Sequence, residues 1–338
     1  MKKIKLLFFS ALLGGLFFVR SQSSKINGIS FVGGRNVVNE QSISPVLDVN
    51  ANWVTLMPFG FMQKLNATQI NFNQQRQWWG ERKIGVRTTT KLYHNQNIKI
   101  MIKPQIWIWR GEFTGYINMD SEADWIAFEK SYEKFILEYA ALAEEVNAEL
   151  FCLGTELNNF VQKRPDFWKG LISKVKKVYK GKLTYAENWD KFDKVPFWKE
   201  LDYMGIDAYF PLSDSQTPLV NEIKEGWERH KLKIKELYDI ERIPVLFTEY
   251  GYRSVDYATK RPWDSARDIN TVNLKAQQNA LQAIYEVFWP EKWFAGGFLW
   301  KWYDFHNRAG GNTNSRFTPQ NKPAEDLVRR FYGGISND

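Results

Sequence analysis

A single cysteine, Cys152, in 338 residues leaves no partner for an intramolecular disulfide. Set in an apolar run, it reads as a small buried hydrophobe. The three histidines, His94, His230 and His306, show none of the spacings that hold a metal, so each is expected on a helix surface or in a loop, and no metal partner is expected. No Gly-rich phosphate loop opens a helix after a strand, and there is no Gly-x-Ser-x-Gly elbow, which argues against a serine esterase. No low-complexity linker or internal repeat divides the chain, and one domain is the simpler reading. The long apolar run from Leu6 to Val19 is short for a membrane span. With Met1-Lys2-Lys3-Ile4-Lys5 before it and Arg20-Ser21-Gln22 after it, it has the regions of a secretory signal peptide, and no cysteine follows to suggest a lipoprotein. Residues 1–21 are therefore expected to be removed and residues 22–338 to form one catalytic domain, secreted or periplasmic; an uncleaved membrane anchor is the alternative.

The chain is 44% hydrophobic and 16% aromatic, enough apolar material for a substantial core. Its net charge of +8 shrinks once the leader goes, because Lys2, Lys3, Lys5 and Arg20 supply half of it. The remaining charges of both signs are interspersed, a solvated surface rather than a nucleic-acid footprint. Strand-like runs fall at Ile29 to Val32, Trp53 to Met57, Lys99 to Ile106, Leu150 to Thr155, Leu183 to Ala186, Tyr203 to Tyr209, Val245 to Thr248 and Gly297 to Trp300. Between them, apolar residues from Trp125 to Val146 recur at helical spacing behind Ser121-x-x-Asp124, and Leu274 to Phe288 forms a second amphipathic helix. Eight strands alternating with helices argue for an α/β fold, a closed (β/α)8 TIM barrel in a single domain.

Two of these strands, Phe151-Cys152-Leu153-Gly154-Thr155 and Val245-Leu246-Phe247-Thr248, run straight into Glu156 and Glu249. A carboxylate at the end of a hydrophobic strand is costly unless it is paired or used. In a barrel both would stand on the catalytic rim, after strands four and seven, across the mouth from one another. Paired carboxylates in that relation are the working parts of glycoside hydrolysis. In Ile100-Met101-Ile102-Lys103-Pro104-Gln105-Ile106-Trp107 the alternation puts Lys103, Gln105 and Trp107 on one face, as a binding site or an internal salt bridge. Asp207 and Tyr209 face alike on strand six, with a buried pairing to Lys or Arg as the plainer role for Asp207. Indole faces stack on the apolar face of a pyranose. Trp300 is expected as the platform under the cleaved sugar, with Trp302 as a second candidate and Trp107, Trp109 and Trp189 ranked lower because most tryptophans must serve the core.

Gly154-Thr155-Glu156-Leu157, Tyr185-Ala186-Glu187-Asn188-Trp189, Leu201 to Pro211 and Phe247-Thr248-Glu249-Tyr250-Gly251-Tyr252 resemble the motifs of glycoside hydrolase family 113, in the same order and over Ile26 to Tyr332. Characterised members of that family are β-mannanases of the clan A retaining glycosidases. The resemblance implies Glu156 as general acid/base, Glu249 as nucleophile, Tyr209 as a hydrogen-bond donor to Glu249, an oligo- or polysaccharide partner such as β-mannan, and no cofactor. Thr155 stands where clan A enzymes commonly carry Asn, as in family 113 itself, which leaves the sugar 2-hydroxyl to Asn188 or to Asn158. Glucan, galactan or xylan are alternative substrates for the same machinery, and a catalytically silent glycan-binding barrel is the alternative of another class. The segment Gly310-Gly311-Asn312-Thr313-Asn314-Ser315 is expected to be a mobile loop bordering the groove.

Overall fold

A computed structural model describes residues 25–266 and 271–334, so the expected leader lies outside the described residues. Eight parallel strands close into a barrel: β1 (Ile26–Phe31), β2 (Trp53–Leu56), β3 (Lys99–Ile102), β4 (Leu150–Thr155), β5 (Lys182–Asn188), β6 (Tyr203–Asp207), β7 (Val245–Tyr250) and β8 (Phe294–Trp302). The helices α1 (Glu40–Asp48), α2 (Lys83–His94), α3 (Glu122–Glu145), α4 (Asn158–Lys163), α5 (Pro165–Val178), α6 (Val220–Glu241), α7 (Leu274–Phe288) and α8 (Pro323–Tyr332) intervene. The expected TIM barrel is thus the observed one. Its one irregular crossover joins β5 to β6, where two 3-10 turns, Phe192–Lys194 and Trp198–Glu200, replace a helix.

The strands divide the apolar residues between two cores. Inside the barrel, Ile26, Trp53, Met101, Leu150, Cys152, Ala186, Leu246 and Phe298 pack on one another, and Cys152 takes the buried place expected of it. Phe298 fits because Gly28 faces it; a Cβ on Gly28 would lie 2.4 Å from the Phe298 ring. The larger core fills the layer between strands and helices. On α3, residues Trp125, Phe128, Tyr132, Phe135, Ile136 and Tyr139 all turn inward, the period of about 3.6 residues expected of an amphipathic helix. The helix begins where the Ser121 side chain accepts the Asp124 amide at 3.1 Å, one of the first-turn donors that would otherwise lack a partner. In the same way the Asn273 side chain caps α7 by accepting the Ala276 amide at 2.9 Å.

Strand three departs from its expected extent. The barrel ladder stops at Ile102, and Gln105–Ile108 belongs to a separate three-stranded sheet, parallel to Phe59–Met62, which in turn pairs antiparallel with Asn71–Phe72. Pro104 marks the break, since it has no N–H to continue a ladder. The backbone hands over there: the Lys103 amide donates to Leu56, and the Gln105 amide donates to Pro58. Lys103 and Gln105 are gathered on Glu249 at the barrel mouth, whereas Trp107 pairs with Phe61 in the small sheet and is 50% exposed.

Candidate active site

The strand registers gather polar residues at the carboxyl end of the barrel. Asn188 on β5 lies beside Asp207 on β6, which lies beside Glu249 on β7. Thr155 on β4 lies beside Ala186. Glu249 is the penultimate residue of β7 rather than a residue beyond it, and it is nearly buried. Its carboxylate meets three donors. Lys103 Nζ (2.6 Å) and Gln105 Nε2 (2.9 Å) donate to Oε1, and the Tyr209 hydroxyl donates to Oε2 at 2.9 Å. An ionised carboxylate is acceptor-only, which is what this set of donors requires.

Lys103 also reaches both oxygens of Asp207, at 3.1 and 3.2 Å, and Thr248 Oγ1 donates to Asp207 at 2.7 Å. One cation therefore serves two carboxylates. Burial alone would push the ammonium down, but Asp207 and Glu249 more than reverse this and hold Lys103 above its ordinary value. Burial, then repulsion from Glu249, raises Asp207 to about 7 against the pull of Lys103. Lys103 and Asp207 are fully enclosed and paired with one another, the internal ion pair that was the other reading of Lys103 and the plainer role of Asp207, and neither has surface open to a ligand. Of the five polar residues around Glu249, Gln105 at 9% and Tyr209 at 7% keep a trace of exposure, and Lys103, Asp207 and Thr248 keep almost none.

Glu156 is held differently. It is the first residue past β4, in a left-handed backbone conformation with φ of 54°. Its amide donates to Ala186 at 2.7 Å, and its carbonyl accepts from Thr114 Oγ1 at 3.3 Å. The residue is half-buried, and among the described residues no donor bonds its carboxyl as Lys103, Gln105 and Tyr209 bond that of Glu249. Burial first, then Asp207 and Glu249, raise it well above the usual carboxylate range, with Lys103 opposing and Glu187 adding to the rise.

The other expected contacts separate. Trp300, at the end of β8, is partly exposed, whereas Trp302 is fully buried against His306, with its expected stacking role corrected because no ring face is open. Trp189 stacks on Trp263 with ring centroids 5.2 Å apart, and Trp109 stands 68% exposed. Asn188 closes β5 and is partly exposed; its side-chain oxygen accepts the Trp189 amide at 2.8 Å. Asn158 begins α4. The Thr155 hydroxyl is shut off from solvent. Each histidine is engaged with a partner outside the cluster around Glu249: His94 with Glu149, His230 with the Pro211 carbonyl, His306 with Glu325. The segment from Gly310 to Ser315 is bonded into the fold at two points, the Gly311 amide on the Gln320 carbonyl and Ser254 Oγ on the Asn314 carbonyl. Among the described residues no group of three or more His, Cys, Asp or Glu is placed to hold a metal, and no helix is long and apolar enough to cross a membrane.

Two residues join the site that sequence reading passed over. Glu187 is 1% exposed on β5 and is raised to about 7, chiefly by burial. Its signal was present, because Leu183 to Ala186 is a third apolar run ending in a glutamate. Lys301, between the two β8 tryptophans, has its Nζ 4.9 Å from the Trp300 ring centroid, and burial lowers its ammonium while Glu249 opposes the shift. Nothing in its spacing announces it.

A barrel whose rim carries one tightly bonded carboxylate and one raised one has the equipment of a glycoside hydrolase. The model of Glycoside Hydrolase Family 113 matches residues 35–322, and the chain belongs to that family. Among solved structures, the GH113 β-mannanase AaManA from Alicyclobacillus acidocaldarius, in complex with ManMIm, is 24% identical, with 92% of this chain and 98% of that one covered at a TM-score of 0.80. A second GH113 β-1,4-mannanase is 23% identical, with 91% and 98% covered and a TM-score of 0.77. The β-glucuronidase of Faecalibacterium prausnitzii, 14% identical, shares the barrel over 92% of this chain and 49% of its own length, at a TM-score of 0.63. Comparison with curated protein sequences finds no match.

Proposed function

We propose that this family 113 glycoside hydrolase is a secreted, retaining enzyme that cleaves β-1,4-mannosidic linkages in mannan or manno-oligosaccharides. The observation that carries the mechanism is the asymmetry of the two carboxyls. Glu249, with three donors on its two oxygens, is prepared as a nucleophile; Glu156, raised and without such donors, is prepared to carry a proton. In the first step a Glu249 oxygen bonds to the anomeric carbon as the bond from that carbon to the leaving oxygen breaks, and Glu156 gives its proton to that oxygen. In the second step Glu156 takes a proton from water, the water oxygen bonds to the anomeric carbon, and the Glu249 ester bond breaks. Two inversions retain the configuration, which asks for carboxyls about 5–5.5 Å apart. Trp300 supplies the platform for the sugar being cleaved. Asn188 is the group for the 2-hydroxyl, since the Thr155 hydroxyl is closed to solvent. Mannan as the substrate is supported by family membership and by the solved β-mannanases that share this fold.

The test is product analysis with residues 22–338, incubated with β-1,4-manno-oligosaccharides and with glucan, galactan and xylan oligosaccharides. Cleavage of the mannosides alone, with first products in the β configuration, is expected. Cleavage of another glycan would keep the mechanism and replace the substrate, and inverted first products would remove Glu249 as nucleophile. Binding with no cleavage of any glycan would favour a silent barrel. For export, the expected result is a mature N-terminus near Gln22 outside the cytoplasm; retention of residues 1–21 on a membrane-bound protein would contradict it.

A further inference from the structure

Glu187 is an acid that the two-carboxylate mechanism does not use. It lies on the outer face of β5, the same face as Tyr185, in the layer between strands and helices. A carboxylate enclosed in that layer is costly, and no ion pair compensates it among the described residues. Its partners are instead two donors. The Asn188 amide donates to Oε1 at 2.9 Å, and the Tyr185 hydroxyl donates to Oε2 at 3.2 Å. Tyr185 Oη in turn accepts the amide of Leu157 at 2.8 Å. Leu157 directly follows Glu156, whose own amide is bonded to Ala186, the residue before Glu187.

We propose that Glu187 is a positioning residue for Glu156: one buried carboxylate ties down the backbone next to the acid through Tyr185 and Leu157, and the backbone of Asn188 directly. The left-handed turn at Glu156 makes such bracing necessary. A non-glycine residue at positive φ persists only where its surroundings over-determine it, and here both flanking amides have fixed acceptors. Tyr185 is itself locked by packing on Trp168, Phe197 and Trp198. Above about pH 7, where Glu187 itself ionises, it also places negative charge behind the acid and adds to the forces that keep the proton on Glu156. The charged and titratable groups around the pair are Asp207, Glu249 and Lys103 facing Glu156, and Asp207, Asp190 and Tyr185 facing Glu187.

This inference rests on Glu156 being the general acid, so Glu156→Ala is measured in parallel. The experiment compares wild type, Glu187→Gln and Tyr185→Phe on a manno-oligosaccharide, whose leaving group needs a proton, and on a dinitrophenyl manno-oligoside, whose leaving group does not. Both variants are expected to lose about 10- to 100-fold in kcat/KM on the first substrate and little on the second, the scale of a misplaced catalytic group. In Glu187→Gln the alkaline limb of the kcat/KM profile should also move to lower pH, because a negative charge that favours protonated Glu156 has gone. Tyr185→Phe retains that charge and should show the leaving-group effect with a smaller pH shift, so it keeps the test open if Glu187→Gln folds poorly. Folded variants with equal losses on both substrates and an unmoved pH profile would show that Glu187 only stabilises the fold. If Glu156→Ala itself shows no leaving-group dependence, the acid assignment fails instead.

Discussion

The rim of β7 and the rim of β4 each present a glutamate, and the two are built in opposite ways. Glu249 lies within its strand, bonded by Lys103, Gln105 and Tyr209, with Asp207 sharing the same lysine. Glu156 lies just past its strand in a left-handed turn, held by its backbone while its carboxyl is left to its surroundings. The contrast is what would let one residue type serve the two roles proposed for it. Donors aimed at the oxygens stabilise the charged form, and burial among other carboxylates stabilises the protonated one.

The largest effect is expected from Glu249→Ala, which removes the better-held member. Turnover should fall by about 10⁴-fold or more, with folding and oligosaccharide binding largely intact, as read by initial rates, thermal melting and calorimetry. Unchanged activity would refute the assignment. Glu156→Ala should cost about 10²–10⁴-fold on substrates with poor leaving groups and much less on activated ones. Because Glu156 is raised, wild-type kcat/KM should persist well above the ordinary carboxylate pKa of about 4.3 and fall only as pH rises through the raised value, when the acid loses its proton. An alkaline limb in the ordinary carboxylate range would contradict the environment described for it.

Lys103→Met attacks the contrast from the other side. It strips Glu249 of its cation and leaves Asp207 buried and unpaired, with an expected loss of about 10²–10³-fold in kcat and about 3–5 kcal/mol of stability. Kinetics and chemical denaturation read the two effects separately; a stability loss without a kinetic one would make the lysine merely structural. Tyr209→Phe deletes one of three donors to Glu249 and should cost about tenfold in kcat/KM, with melting little changed. If Tyr209→Phe equalled Lys103→Met, the hydroxyl would be doing more than holding the nucleophile.

Much of this was open to reading because barrels couple sequence period to position. Apolar runs marked the eight strands, and runs ending in glutamate marked the rim. What escaped were features set by neighbours in space. Pro104 ends a barrel strand that hydrophobic pattern alone would continue to Ile106. Trp302 would share the face of Trp300 in a regular strand, but the pairing of β8 with β1 shifts register between Leu299 and Trp302, so one tryptophan is half-exposed and the other lies in the outer core. Lys103 and Asp207 had the right location, and only packing reveals that they are sealed beneath the carboxylate they serve. Glu187 carried the same signature as Glu156 and Glu249, and its outward side of the strand separates it from the pair at the mouth.

The most direct test of the double displacement is to trap its intermediate. The protein would be incubated with a 2-deoxy-2-fluoro manno-oligoside bearing a dinitrophenyl leaving group, digested, and its peptides analysed by mass spectrometry. One glycosyl adduct on the peptide containing Glu249, absent from Glu249→Ala, is the predicted result. An adduct on another residue, or hydrolysis to the inverted sugar with no adduct, would contradict it.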